Sequence, residues 1–189
     1  MARKYAEIVY TDSVKAAQEQ HGSRASSARR ASMDADDKRL TEQEATFIAE
    51  RDSFYMASVN ADGWPYVQFR GGPTGFLKVL DDQTLAYADF GGNRQYISTG
   101  NLQENDRVSL FFMDYGNRRR LKLMARTEIF TATDRPDLVD QLVDPEYGAP
   151  IERVVLFHVA AYDWNCPSHI TPRFTAAEWS AAQDTNHTN

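Results

Sequence analysis

The tightest constraint on this chain is its run of short β-prone segments, each stopped within a few residues by a turn signal. Phe54–Asn60 ends at Ala61-Asp62-Gly63, and Trp64–Arg70 returns as a partner strand. Asp-Gly is favoured in two-residue hairpin loops because both central positions take positive φ. Gly71-Gly72-Pro73-Thr74-Gly75 then breaks the pattern, Phe76–Leu80 resumes it, and Asp81-Asp82-Gln83 turns the chain into Thr84–Phe90. Arg107–Asp114 and Arg118–Phe130 flank Tyr115-Gly116-Asn117, and Glu152–Tyr162 reads as a last, long strand. In the 118–130 segment Leu121, Leu123, Ala125, Thr127 and Ile129 alternate with Lys122, Met124, Arg126 and Glu128, the period of a strand with one buried face.

Only short helices separate these strands. Thr41-Glu-Gln-Glu44 and Thr175-Ala-Ala-Glu178 are capping-box sequences, and 95–103 and 134–143 have helical spacing. Strands that do not alternate with long helices exclude a doubly wound α/β fold. The expected fold is mainly β with short helices, an antiparallel barrel of about six strands, because closure removes exposed edges. Residues 1–40 stand apart. Ser13–Gln20 reads as a short helix, and Ser23–Ser32 is small, polar and basic, which points to an arm that is partly mobile or draped on a partner. Residues 41–189 form the expected domain.

Charge and cysteine content bound the function. The net charge is −6, which opposes non-specific binding to nucleic acid or anionic membranes. It also weighs against a single-strand-binding barrel stacking bases on Tyr66, Phe69, Tyr87 and Phe90, residues that serve equally well as core. No apolar stretch has the length of a membrane helix, and the first residues lack the apolar core of a secretory signal, so a cytoplasmic protein is expected. One cysteine, Cys166, and four scattered histidines offer no disulfide and no metal-ligand spacing.

Four segments carry more chemistry than a plain barrel needs. Gln68-Phe69-Arg70-Gly71-Gly72 ends a strand with a cation and two glycines, which let backbone amides approach a ligand. Asp89-Phe90-Gly91-Gly92-Asn93-Arg94 repeats that theme at a helix entrance, a natural place for a phosphate dianion. Arg118-Arg119-Arg120-Leu121-Lys122 is a basic strand start, and Asp163–Arg173 is a loop stiffened by two prolines and rich in groups that stack or carry charge. Cys166 has His169 nearby but no identifiable third member of a nucleophilic constellation, so no catalytic residue is assigned.

Taken together, these segments resemble the pyridoxamine 5′-phosphate oxidase-related flavin-binding split barrels, in a bacterial branch of that superfamily. The resemblance runs from about Thr41 to Phe174. It rests on Asp62–Pro73, Gly75–Lys78, Tyr87–Arg94, Asn117–Lys122 and Trp164–Arg173. It implies a six-stranded antiparallel split β-barrel of the FMN-binding type and a homodimer with FMN at the subunit interface. Carried over by position, Gln68, Arg70, Lys78 and Asp89 would line the flavin strands, and Asn93 and Arg94 would grip the FMN phosphate. Arg120 would reach the isoalloxazine ring, with Arg120 or Lys122 stabilising its reduced form, and Trp164 and Arg173 would come from the partner subunit. Arg70 and Lys78 are separated by Gly-Gly-Pro-Thr-Gly and two further residues, leaving both as candidates for the phosphate. The oxidase's Arg-Leu-His-Asp-Arg substrate motif is missing from the sequence, so a different substrate is expected. The implied function is an FMN-dependent oxidoreductase. The alternatives are a non-enzymatic flavin-binding or sensing protein of the same fold, and a haem-binding variant using His158 or His169.

Overall fold

A computed structural model describes residues 3–33 and 36–180. The last residues of the expected domain, and the continuation of the terminal helix that opens at residue 176, lie outside the described residues. Three helices come first, α1 (Lys4–Val9), α2 (Asp12–Gln20) and α3 (Arg24–Ser32), followed by α4 (Glu42–Ala49). The basic 23–32 segment, expected from its composition to belong to an arm partly mobile or draped on a partner, is helical. Its alanines and arginines are strong helix formers, α3 packs against α2, and its Ser27 is buried. The arm is tied to the body at α1, where the buried Asp37 carboxylate accepts from the backbone N–H groups of Lys4 and Tyr5.

The strands are β1 (Ser53–Val59), β2 (Pro65–Gly71), β3 (Lys78–Val79), β4 (Thr84–Phe90), β5 (Arg107–Asp114), β6 (Arg119–Thr131) and β7 (Ile151–Trp164). Helix α5 (Ile97–Glu104) joins β4 to β5, and α6 (Pro136–Leu142) joins β6 to β7. Seven strands, not six, form one antiparallel sheet in the order β2-β1-β5-β6-β7-β4-β3. The shortest strand is β3, which keeps two residues of the expected Phe76–Leu80 segment. The glycine-rich break before it leaves only Lys78 and Val79 to pair, with Ala86 and Leu85.

Alternation sorts the side chains. Phe54 and Met56 of β1, Leu85 and Tyr87 of β4, Phe112 of β5 and Phe157 of β7 point into one core. Phe54 sits at its centre, with ring centroids 5.5–6.1 Å from Phe76, Tyr87, Phe112 and Phe157. The opposite face of β4 and β7, carrying Ala86, Ala88, Val154 and Leu156, is covered by Leu138 and Leu142 of α6. Burying side chains of this size stabilises the fold by ~1.5–3 kcal/mol each.

Strand β2 reverses the usual polarity. Register pairs Phe54 with Arg70, Met56 with Gln68 and Ser58 with Tyr66, so the residues of β2 that share the core-facing side of β1 are polar. Its outward residues Val67 and Phe69 are about 60% exposed. Among the described residues no backbone ladder joins β2 to β4. The sheet curls until the two strands meet through side chains alone, and this split is where the cleft lies.

Candidate functional site

The cleft opens between the inner face of β2, the end of β4, the 91–96 loop, the start of α5 and Arg153 of β7. Its centre is Asp89, 4% exposed. Arg70 Nη1 donates to Asp89 Oδ1 at 2.7 Å, and Arg153 donates to Oδ2 from Nε at 2.9 Å and Nη2 at 2.8 Å. One carboxylate therefore pins two guanidinium groups across the split. Arg70 Nε remains buried with no hydrogen-bond acceptor among the described residues. The Arg70 guanidinium lies 5.7 Å from the centre of the Tyr87 ring. The Tyr87 hydroxyl is also buried without a partner among the described residues, and burial pushes its pKa far up, so it stays protonated.

The loop after β4 sets the far wall. Beyond Asp89 the β4–β7 register shifts, Asp89 opposing Arg153 and Phe90 opposing Ile151, which leaves Glu152 as the extra residue of a bulge. A Cβ on Gly91 would stand 3.1 Å from Glu152 Oε1, so a larger residue there would require the Glu152 carboxylate to shift. Arg94 and Tyr96 both adopt left-handed backbone conformations, with φ of 59° and 54°. For non-glycine residues these are strained, and such strain concentrates at functional loops. Arg94 Nε donates to the Tyr96 hydroxyl at 3.3 Å, which donates to Glu152 Oε2 at 3.4 Å. The Arg153 guanidinium stacks 4.9 Å from the centre of the Tyr96 ring and pairs with Glu152 at 2.9 Å.

Tyr96 is the N-cap of α5 and supplies no side-chain cap. The first N–H to be satisfied within the helix is that of Gly100, on Tyr96 O at 2.8 Å. The start of the helix, Ile97 to Thr99, lines the cleft, and first-turn N–H groups have no intrahelical acceptor. They carry the positive end of the helix dipole. The helix is pinned by Ser98 Oγ to Gln68 Oε1 at 2.6 Å and by Asn101 Nδ2 to Ser58 Oγ at 3.0 Å. An exposed cation, free first-turn amides and half-buried guanidinium groups are donors of the kind that suit a phosphate-like dianion.

Of the residues singled out in the sequence, Gln68, Arg70, Asp89, Asn93 and Arg94 gather in this cleft. Lys78 does not: it is exposed on β3, opposite Ala86. Arg120 lies at the start of β6, and with the Asn165 amide turned so that its oxygen faces the guanidinium, Asn165 Oδ1 accepts from Arg120 Nε and Nη2 at 2.9 Å. Trp164 is packed into its own chain, edge-on to Phe47 at 4.7 Å, with Nε1 donating to the buried Glu44 at 2.6 Å. Arg173 stacks over Tyr115 at 5.2 Å. Sequence reasoning missed Tyr66, Tyr96, Ser98, Glu152 and Arg153. Ser98 was legible as a first-turn residue of the expected 95–103 helix. Arg153 was not, because only the β4–β7 register brings it to Asp89.

The profile of the pyridoxamine 5′-phosphate oxidase family matches residues 40–164, which contain every strand of the sheet. The chain belongs to the pyridoxamine 5′-phosphate oxidase family. A candidate pyridoxamine 5′-phosphate oxidase from Lactobacillus delbrueckii superposes with a TM-score of 0.52 at 23% identity, covering 67% of this chain and 94% of that one. HupZ of Group A Streptococcus superposes with a TM-score of 0.50 at 17% identity, covering 71% and 99%. No curated protein matches this chain at a significant level. At these identities the structural likeness establishes a shared fold. That fold is the split barrel of the oxidase family. No helix among the described residues is long and apolar enough to cross a membrane, and no cluster of metal-ligating side chains occurs among them.

Proposed function

We propose that the chain binds FMN in the β2–β4 cleft and acts as a cytoplasmic FMN-dependent oxidoreductase on a small substrate other than pyridoxamine phosphate. The observation that carries this reading is the uncapped α5 N-terminus facing Arg94, with the Arg70–Asp89–Arg153 clamp behind it. The donor set fits a phosphate-bearing flavin: the buried Arg70 Nε has no acceptor among the described residues, and the first-turn amides of α5 are open to the cleft. Arg94, Asn93 and the first turn of α5 would hold the phosphate, and Gln68 and Arg70 would border the rest of the cofactor. FMN, when bound, would supply the electron transfer, and the protein would supply position and charge. Asp89 keeps Arg70 and Arg153 fixed, so the cleft does not have to reorganise when an anion enters.

The same reading includes a homodimer. The outward face of β1 and β2 presents Tyr55, Val67 and Phe69, and Trp64 beside them is 73% exposed. An apolar sheet face of this kind calls for cover, and a second copy of the chain seated on it would bring FMN to the subunit interface. The test is an absorbance spectrum of the purified protein, followed by titration with FMN. A colourless protein that fails to quench or take up added FMN would sink the proposal. Anaerobic reduction by nicotinamide cofactors, then reoxidation by electron acceptors, separates an enzyme from a carrier. Sustained turnover is expected, and bound flavin that is never reduced would favour the non-enzymatic alternative.

A further inference from the structure

A second cavity lies far from Asp89 in the fold, between the N-terminal arm and the end of β7. Its walls are aromatic, with Tyr5 and Tyr10 from α1 and the residue after it, and Trp164 from the body. Its charge is cationic at the edges. Arg30 of α3 lines it and makes no ion pair among the described residues. Arg120 stands behind Asn165, its guanidinium engaged by that one amide oxygen. Arg3 is held by Asp163 at 2.8 Å and lies 3.6 Å from Asp37, and its Nε is buried without a hydrogen-bond acceptor among the described residues. The arm is fastened over this space by Arg3 N–H donating to Ala31 O at 2.8 Å and by Asp37 at the start of α1. Cys166, the only cysteine of the chain, lies on the floor and is exposed. Its thiol pKa is lowered by the Ser168 hydroxyl at 2.9 Å and the Ser168 N–H at 3.4 Å, with the Arg120 charge adding to the effect.

We propose that this cavity is a second ligand site, one that takes a planar aromatic carboxylate. The rings provide flat apolar walls, and guanidinium groups match a carboxylate as a fork of parallel donors. The site is built by the arm as much as by the barrel, which gives the three N-terminal helices a role that the flavin cleft does not require.

Cys166 is its reporter. The full-length protein is alkylated with neutral iodoacetamide at constant ionic strength, and the rate is followed against benzoate concentration. Benzoate slows the reaction saturably, by about tenfold when present at ten times its dissociation constant. Benzamide, which has the ring without the charge, and acetate, which has the charge without the ring, do not. Arg30→Gln and Tyr10→Ala each shift the benzoate midpoint to higher concentration, with helix content checked by circular dichroism. Absence of saturable protection, equal protection by benzamide or acetate, or an unchanged midpoint in both variants would overturn the proposal. The readout is at Cys166 and not at the flavin spectrum, so its failure leaves the FMN reading standing, and the reverse holds too.

Discussion

Replacing Asp89 with Asn is the most informative single change, because the structure lets its cost be worked out. Asp89 is the shared acceptor of Arg70 and Arg153, whose side chains are only 16% and 18% exposed. Removing one partner of a buried ion pair costs about 3–5 kcal/mol, most of it the penalty of the charge left behind. Asparagine keeps one acceptor oxygen, and both arginines can turn toward the mouth of the cleft, so we expect about 2–3 kcal/mol. For a chain of 189 residues, at roughly 2–4 °C per kcal/mol, that lowers Tm by roughly 4–12 °C. Calorimetry in an amine buffer, with and without inorganic phosphate, is the assay. Phosphate should restore more stability to the variant than to the wild type, since the freed guanidinium groups then hold the anion that Asp89 no longer replaces. A loss below about 1 kcal/mol, or the same phosphate response in both proteins, would refute Asp89 as the pin of the cleft.

Arg94→Ala should weaken FMN binding by roughly tenfold to a hundredfold, as expected for a lost charge-assisted contact, without changing sedimentation. Glu152→Gln should do the opposite and tighten FMN several-fold by removing the carboxylate beside Arg153 and Tyr96, as read by fluorescence titration. Val67→Glu on the exposed face of β2 should turn a dimer into a monomer in sedimentation velocity and loosen the flavin with it. A dimer that survives places the interface elsewhere. Burial raises the pKa of Glu44, but hydrogen bonds from Thr41 and Trp164 outweigh it and hold the carboxyl below its ordinary 4.5. Its contribution to stability is therefore full above pH 4.5 and is lost as pH falls through the depressed folded value. Urea midpoints of wild type and Glu44→Gln should converge in acid and separate near neutrality.

Much of the barrel could be read along the chain because its rules are local. The alternation from Leu121 to Ile129 and the Thr41–Glu44 capping box each specify their own element, and the capping box forms with both of its hydrogen bonds; the chain also turns at Asp62-Gly63, but with positive φ at Gly63 alone and not at both positions. That Asn93, Arg94 and the first turn of α5 share one cleft was legible for the same reason, since they are neighbours in sequence. What could not be read depends on register. Arg153 looks like any strand cation until β7 pairs with β4, and Glu152 looks solvated until the bulge turns it toward Gly91. Trp164 reads as a loop aromatic, yet its Nε1 has an acid partner 120 residues earlier in the chain. The helix over 23–32 was not legible because it has little to bury on its own, and its packing against α2 and the Arg3 backbone bond to Ala31 O come only with the tertiary fold.

The inverted polarity of β2 connects the cleft to the assembly. A strand whose inward residues are Tyr66, Gln68 and Arg70 cannot close the barrel over a dry core, because each polar group would have to give up water without a partner. The sheet stops short of closure, and the gap is bridged by the Arg70–Asp89 pair instead of a backbone ladder. The outward residues of the same strand, Val67 and Phe69, are left facing solvent and call for cover. One alternating pattern thus opens a polar cleft on one side and a sticky face on the other. Shifting its register by one residue would exchange the two faces, closing the cleft and removing the apolar surface together. A ligand in the cleft and a partner on the outer face are therefore two consequences of one strand, and Val67→Glu is expected to disturb both.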